Sequence, residues 1–264
     1  MCSGGAGLLI HPTAIVDPAA EIGEGVEIGA YSIVGSGVSI GSGTVIGPHV
    51  VIQGATRIGN DNRIFQFASV GEDPQDKKYR GEPTALEIGD RNVIREFATL
   101  HRGTVQDKGV TRIGDDNLFM AYTHVAHDCV IGNRVIMANA ASLAGHVRVD
   151  DDAILGGFSL VHQFCRIGQH SFSAMGSVIS RDVPPYVMVG GRPTKPHGIN
   201  AVGLERNGFD SVAIRQIKKA YKIVYKTGFK LEEAIRLLEE MSEDGPEVAC
   251  MVDFLRAKGR SIIR

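Results

Sequence analysis

An aliphatic residue recurs at every sixth position from Ile10 to Val70: Ile10, Val16, Ile22, Ile28, Val34, Ile40, Ile46, Ile52, Ile58, Ile64 and Val70. The same period returns from Ile113 to Ile167, with Phe119 and Met137 among its members, then skips Ser173 and closes at Ile179. Six matches neither the 3.6-residue helical period nor the two-residue alternation of hairpin strands. It marks a hexapeptide-repeat parallel β-helix, in which each repeat forms one flat face and three repeats complete a coil. Residues 18 apart in the sequence then stack in one column, at the inter-strand spacing of about 4.8 Å. The expected fold is mainly β: a left-handed parallel β-helix over 8–190, followed by a small α-helical C-terminal domain over 191–264.

In each hexad the fourth position after the aliphatic is also small or apolar (Val26, Ser32, Val38, Thr44, Val50; later Val135, Ala141, Val147), so two residues per hexad point inward. Glycines that follow the aliphatic (Gly23, Gly29, Gly35, Gly41, Gly47, Gly59) fall where coil corners need small residues or positive φ. Two stretches break the pattern. The first, 71–87, is polar and contains two prolines; the second, 102–112, shifts the phase by one residue. Excursions from a regular solenoid often carry function.

A net charge of −2 and an apolar fraction of 43% argue against nucleic-acid binding and disorder. No apolar run approaches the length of a membrane span, and the N-terminus has no signal-peptide pattern. A cytoplasmic protein without stable membrane insertion is expected. Of four cysteines, Cys129 and Cys165 lie two coils apart in one column, about 9.6 Å by strand spacing, too far for a disulfide. They read as small inward-facing hydrophobes, with Cys2 and Cys250 elsewhere.

Beyond Gly190-Gly191 the period ends. Asp210 or Ser211 can cap a helix whose buried stripe is Ile214, Ile217, Tyr221 and Val224, ending at Gly228. A second helical pattern covers 231–241, and Pro246 can open a third. The first helix carries Arg215, Lys218, Lys219, Lys222 and Lys226 with no acidic residue between them. Such a run is a solvated basic face or a dock for an acidic partner.

Five of the nine histidines lie between His124 and His170. By the 18-residue rule His127, Gly145 and Gln163 form one column, and Asp128, His146 and Phe164 the next. An imidazole one coil from a glycine N–H suits acyl transfer: the neutral ring removes a proton from an alcohol, and the N–H meets the developing oxyanion. Asp128 can fix the tautomer of His127. No nucleophilic Ser or Cys stands in the column, so direct attack by the acceptor hydroxyl is expected rather than an acyl-enzyme. Zinc held by several neutral imidazoles is the competing use of the cluster. However, His124 and His127 occupy different columns, and Asp128 and Gly145 have no role in such a site.

At these motifs the chain closely resembles the UDP-N-acetylglucosamine O-acyltransferase family of lipid A biosynthesis. QFASVGEDPQDKKYRGEPT, RGTVQ, HVAHDC, NRVIMANAASLAGHV, VHQFC and RDVPPYV carry the likeness, which spans nearly the whole length. The resemblance implies a homotrimer with sites between adjacent β-helices. It also implies transfer of a 3-hydroxyacyl chain from acyl carrier protein to the 3-hydroxyl of UDP-N-acetylglucosamine, with no cofactor and no metal. His127 becomes the general base, Asp128 its orienter and the Gly145 N–H the oxyanion donor. Asp76 and Lys78 match contacts to the sugar and phosphates; His124, His146 and His162 match pocket histidines. Gln163, Asn200 and Arg206 match nucleotide contacts, and the basic helix becomes a dock for acyl carrier protein. Val202 stands where a carboxylate often contacts the ribose. Met175 replaces the glycine of members that use fourteen-carbon chains, which predicts a chain of about ten carbons. Rival readings are the later N-acyltransferase of the pathway, a variant using a 3-amino sugar, a metal-dependent hydratase and a purely structural solenoid.

Overall fold

The computed structural model describes residues 9–242, 245–257 and 259–264; Cys2 lies outside them. Two- to five-residue strands build three sheets of 11, 9 and 8 described strands, and all but the last strand of the first sheet pair in parallel with the equivalent strand of the neighbouring coil. Register follows the hexad: Ile10 pairs with Ile28, Val16 with Val34, Ile22 with Ile40. We call the three faces A, B and C in the order the chain visits them. The inward aliphatics form a continuous core in which Ile28, Ile46, Ile64, Ile94, Phe119, Met137 and Leu155 are almost fully buried. Ser173, the skipped position, lies in this core with its hydroxyl bonded to that of Ser159 at 2.8 Å. That bond makes a polar side chain tolerable there.

The corners separate the two roles anticipated for glycine. A Cβ on Gly41 would lie 2.5 Å from the carbonyl carbon of Gly59 one coil on, so the glycine after each aliphatic is there for space. Positive φ falls two residues later, mostly on larger side chains such as Tyr31, Phe67, Tyr122, Asp128 and His146. Each such residue costs about 1 kcal/mol, and stacking on its neighbour offsets the cost. Rings of Tyr31, His49, Phe67, Phe97 and Tyr122 stack in succession at 4.8–5.3 Å. Inside the corner between faces C and A, buried Asn62, Asn92 and Asn117 form an amide ladder with side-chain bonds of 3.1 and 2.9 Å.

Both excursions leave face B and return without disturbing the columns. Thirty residues separate Ile58 from Ile88, and 25 separate Ile88 from Ile113, yet all three pair in one row. Buried Arg102 staples the excursions together, donating to the Gly71 carbonyl at 2.8 Å and to the Tyr79 hydroxyl at 3.0 Å, and pairing with Asp73.

After the last coil the chain departs from the expected all-helical tail. Lys195–Ile199 forms a strand running antiparallel to Val187–Gly190, and a short helix follows, α1 (Ala201–Arg206). Three longer helices match the sequence reading: α2 (Ser211–Tyr225), α3 (Leu231–Ser242) and α4 (Pro246–Arg256). Asp210 caps α2 through its carboxylate. Ile217, Ala220, Tyr221 and Val224 are its buried residues, with Ile214 half-buried, and the helix ends before Gly228. No described helix is long and apolar enough to cross a membrane.

The C-terminus closes the last coil. Ile262 bridges Asp182, and the Ile263 N–H donates to the Asp182 carbonyl at 2.9 Å. Asp182 is 2% exposed, and burial pushes its carboxyl up to about 6 although Arg166 and Arg260 oppose the shift. A raised acid stabilises the fold fully below about pH 4 and loses that contribution as pH rises through about 6. Asp182→Asn keeps an acceptor for the Arg166 N–H that Asp182 now binds. It should therefore match the parent near pH 4 and exceed it by about 2 kcal/mol near pH 8. Denaturant titrations at the two pH values measure the difference; a gap independent of pH would exclude the carboxyl as its source.

Candidate active site

The densest chemistry lies at the corner between faces B and C. His127 follows the strand His124–Val125, and its Nδ1 is 2.8 Å from Asp128 Oδ2. An ionised carboxylate only accepts, so Nδ1 carries the proton and the Nε2 lone pair is free. Asp128 sits at φ 60°, a conformation that Asp tolerates, with its side chain 1% exposed. Its carboxylate accepts from the Thr104 N–H at 2.9 Å and the Thr104 hydroxyl at 2.6 Å, and these bonds with His127 hold it low despite burial. The Asp128 N–H in turn donates to Thr111 Oγ1 at 2.8 Å.

The column rule holds here. A Cβ on Gly145 would lie 2.5 Å from His127 Cε1 and 2.7 Å from Nε2, so the ring rests on the glycine backbone one coil away. Among the described residues the Gly145 N–H has no hydrogen-bond partner. His146 meets His127 edge-on at 5.0 Å, stacks on Phe164 at 4.4 Å and donates from Nδ1 to Asp107 at 3.0 Å. Behind them, on face B, His124 Nδ1 lies 2.7 Å from Thr99 Oγ1. Burial, with help from His101 and His127, lowers its pKa to about 4, so this ring is neutral at physiological pH. Ligand atoms of His127, Asp128 and His146 lie within 4.8 Å of one another, close enough for a metal ion. Both Nδ1 atoms, however, already donate to carboxylates.

Cys129 and Ser142 are not poised as nucleophiles. Cys129 is fully buried, its thiol is pushed up to about 12, and it donates to the Ala144 carbonyl. The Ser142 hydroxyl donates to the Ala140 carbonyl. What remains is an imidazole with a free Nε2 lone pair beside a Gly145 N–H that no described residue pairs.

Residues 182–263 match the family described as UDP N-acetylglucosamine O-acyltransferase, domain 2, and 19–54 and 111–145 match bacterial transferase hexapeptide repeats. The acyl-(acyl-carrier-protein)–UDP-N-acetylglucosamine O-acyltransferase of Halorhodospira halophila is 58% identical over 97% of this chain and 99% of that protein. The chain belongs to the UDP-N-acetylglucosamine O-acyltransferase family. The Pseudomonas aeruginosa member is 57% identical over 97% of this chain and 99% of its own. The solved structure of the Acinetobacter baumannii protein superposes with a TM-score of 0.95 at 49% identity, covering 97% of this chain and all of that one. The Arabidopsis UDP-N-acetylglucosamine acyltransferase gives 0.85 at 38%, with the same coverage.

Within this O-acyltransferase chain the other expected site residues divide into two groups. Asp76 and Lys78 lie on the first excursion, where Asp76 accepts from the Lys78 N–H at 2.9 Å. That excursion is pinned beside the histidines, because His101 donates to the Asp73 carbonyl at 2.7 Å and packs edge-on against His124 at 5.3 Å. His162 and Gln163 are exposed one coil beyond Ala144 and Gly145. The rest stand apart from His127 within one chain. Met175 is on the corner between faces A and B, stacked on Gly157 as the period requires and 78% exposed. Asn200 caps α1, accepting from the Gly203 N–H and donating to the His170 carbonyl. Arg206 ends that helix, and Val202 is exposed on it. Sequence reasoning missed Thr104, Asp107 and His101. The second excursion brings Thr104 and Asp107 to the site, His101 ends the face B strand that pairs with that of His124, and the RGTVQ motif was the signal available.

Proposed function

We propose that the protein transfers an (R)-3-hydroxyacyl chain from acyl carrier protein to the 3-hydroxyl of UDP-N-acetylglucosamine, the first step of lipid A biosynthesis, with His127 as general base. The observation that carries this reading is the Nδ1–H of His127 bound to Asp128 while Nε2 rests against Gly145. Nε2 takes the proton of the sugar hydroxyl as its oxygen attacks the thioester carbonyl. The Gly145 N–H donates to the oxyanion. As the carbon–sulfur bond breaks, the imidazolium returns the proton to the departing thiolate of the phosphopantetheine arm. The Asp128 carboxylate stabilises the imidazolium between the two transfers.

A homotrimer fits the distribution of side chains. The outward row of face C is mostly charged (Glu21, Arg57, Glu87, Arg112, Arg148, Arg166), with Ser39 and Val130 among them, as a largely solvated face should be. The outward row of face A carries exposed Glu27 and Arg63 in its early coils but is apolar and half-buried from Val93 on (Leu118, Ile136, Ile154, Phe172, Met188), and that later stretch suits a packing face. Met175 and His127 occupy different corners, so Met175 can border an acyl chain at His127 only from a neighbouring subunit. Asp76, Lys78, His124, His146, His162, Gln163, Asn200 and Arg206 then supply the sugar-nucleotide contacts across the subunit boundary. The exposed cations Arg215, Lys218, Lys219 and Lys222 on α2 form no salt bridge with a described residue, and they offer acidic acyl carrier protein a docking face. The reading places the enzyme in the cytoplasm, where buried Cys129 and Cys165 stay reduced.

In this reading Met175 stops the acyl groove at about ten carbons. Four further methylenes would contribute about 3 kcal/mol in an open groove, and a packed thioether in their path offsets that gain. Product mass spectrometry with UDP-N-acetylglucosamine and 3-hydroxyacyl carrier proteins of ten, twelve and fourteen carbons tests both points. The parent should make the ten-carbon ester and Met175→Gly should move to longer chains. An unchanged preference would sink the ruler, and no ester from any donor would sink the reaction.

A further inference from the structure

The second excursion ends its departure from the coil at Thr104, which is fully buried although its neighbours Val105, Gln106, Asp107 and Lys108 are exposed. Both donors of Thr104 are spent on one carboxylate: its N–H donates to Asp128 Oδ1 at 2.9 Å, its hydroxyl to Oδ2 at 2.6 Å. Two donors on two oxygens fix the rotation of the carboxylate plane as well as its place. Oδ2 is the atom that also receives His127 Nδ1–H at 2.8 Å. Regular corners clamp carboxylates too, as Arg134 does both oxygens of Asp152, but the clamp on Asp128 comes from an excursion and acts on the carboxylate that holds His127. In this row Ile88 and Ile113 are 25 residues apart rather than the usual 18, and the extra chain contains the turn that carries Thr104.

We infer that Thr104 is a positioning residue for acyl transfer: it locks the Asp128 carboxylate in the one orientation that holds the His127 imidazole square to the acceptor hydroxyl. The inference rests on the reading of His127 as base. Without the Thr104 hydroxyl the carboxylate keeps one donor from the excursion and can rotate about its Cβ–Cγ bond. His127 then samples orientations in which Nε2 points away from the substrate oxygen. Substrate contacts are untouched, so the loss falls on kcat.

The test is steady-state kinetics of Thr104→Val, Thr104→Ser and His127→Ala with UDP-N-acetylglucosamine and 3-hydroxydecanoyl acyl carrier protein, with melting temperatures alongside. Valine keeps the shape and the backbone donor and removes only the hydroxyl. We expect Thr104→Val to lose kcat about 10- to 100-fold, a part of the roughly 100- to 10,000-fold that a general base contributes. KM and melting temperature should stay near the parent, and Thr104→Ser should restore the rate. Parental kcat in Thr104→Val, with His127→Ala inactive, overturns this inference and leaves the base reading standing. An equal loss in the Val and Ser variants, or a loss that comes with raised KM and a lower melting temperature, also overturns it in favour of a purely structural role. Full activity in His127→Ala overturns the base reading and this inference together.

Discussion

Replacing His127 with alanine should lower kcat by about 100- to 10,000-fold, while KM for both substrates changes little. The imidazole is the group at this corner that joins a free lone pair to a buried carboxylate. With Nδ1 held by Asp128, Nε2 is the atom left for the acceptor proton. His146 has its Nδ1 tied to Asp107 in the same way, but its ring stacks on Phe164, and it is the His127 ring that rests on Gly145. His124, held near pKa 4, is too weak a base for the task. A hydroxyl that must attack without a base loses the whole of that contribution, whereas binding of the nucleotide and of acyl carrier protein depends on other surfaces. Initial rates of ester formation under saturating substrate measure the effect. A variant that retains more than about a tenth of the parental kcat would remove His127 from the role.

Gly145→Ala should be comparably severe, with kcat reduced by about 100-fold or more and the fold intact. The backbone at Gly145 lies outside the positive-φ region, so alanine meets no conformational penalty. The new methyl instead lands 2.5 Å from His127 Cε1 and 2.7 Å from Nε2, well inside contact distance. The ring must swing away, which breaks its bond to Asp128, and the methyl crowds the approach to the Gly145 N–H. Loss of one oxyanion donor alone costs about 100- to 1,000-fold. Kinetics combined with a thermal melt separate this local collision from misfolding. A parental rate in the alanine variant would show that neither the ring nor the N–H is used where the structure puts them.

The sequence made the repeating part of this site legible and left the irregular part dark. His127 over Gly145 and Met175 over Gly157 follow from counting by 18, because the hydrophobic core forbids any other register. Cys129 and Cys165 could be placed inside the coil by the same count. Thr104 could not be matched to Asp128, because a turn of irregular length intervenes and no period crosses it. His101 was hidden for the same reason. In the tail, α2, α3 and α4 announce themselves by amphipathic spacing and by Pro246. The strand Lys195–Ile199 does not: Pro196 and Gly198 look like a turn, and only its antiparallel partner Val187–Gly190 makes it a strand. Helix α1 spans six residues and includes Gly203, too few for a period to register.

The return to register after each excursion bears on how such a scaffold can change. Ile58, Ile88 and Ile113 stand in one row although 30 and 25 residues separate them. Vertical position is therefore set by the ladder of coils and not by the residue count between them. A segment spliced into a corner of face B, whatever its length, leaves His127 and Gly145 at the same distance, provided that both ends rejoin the ladder. A single residue added inside a strand would instead turn every later inward side chain outward until the next corner absorbed it. Turn length at face B is thus free to vary while the columns that carry His127 and Gly145 stay fixed, and Thr104 is the point at which the second excursion is tied back to the column, through Asp128.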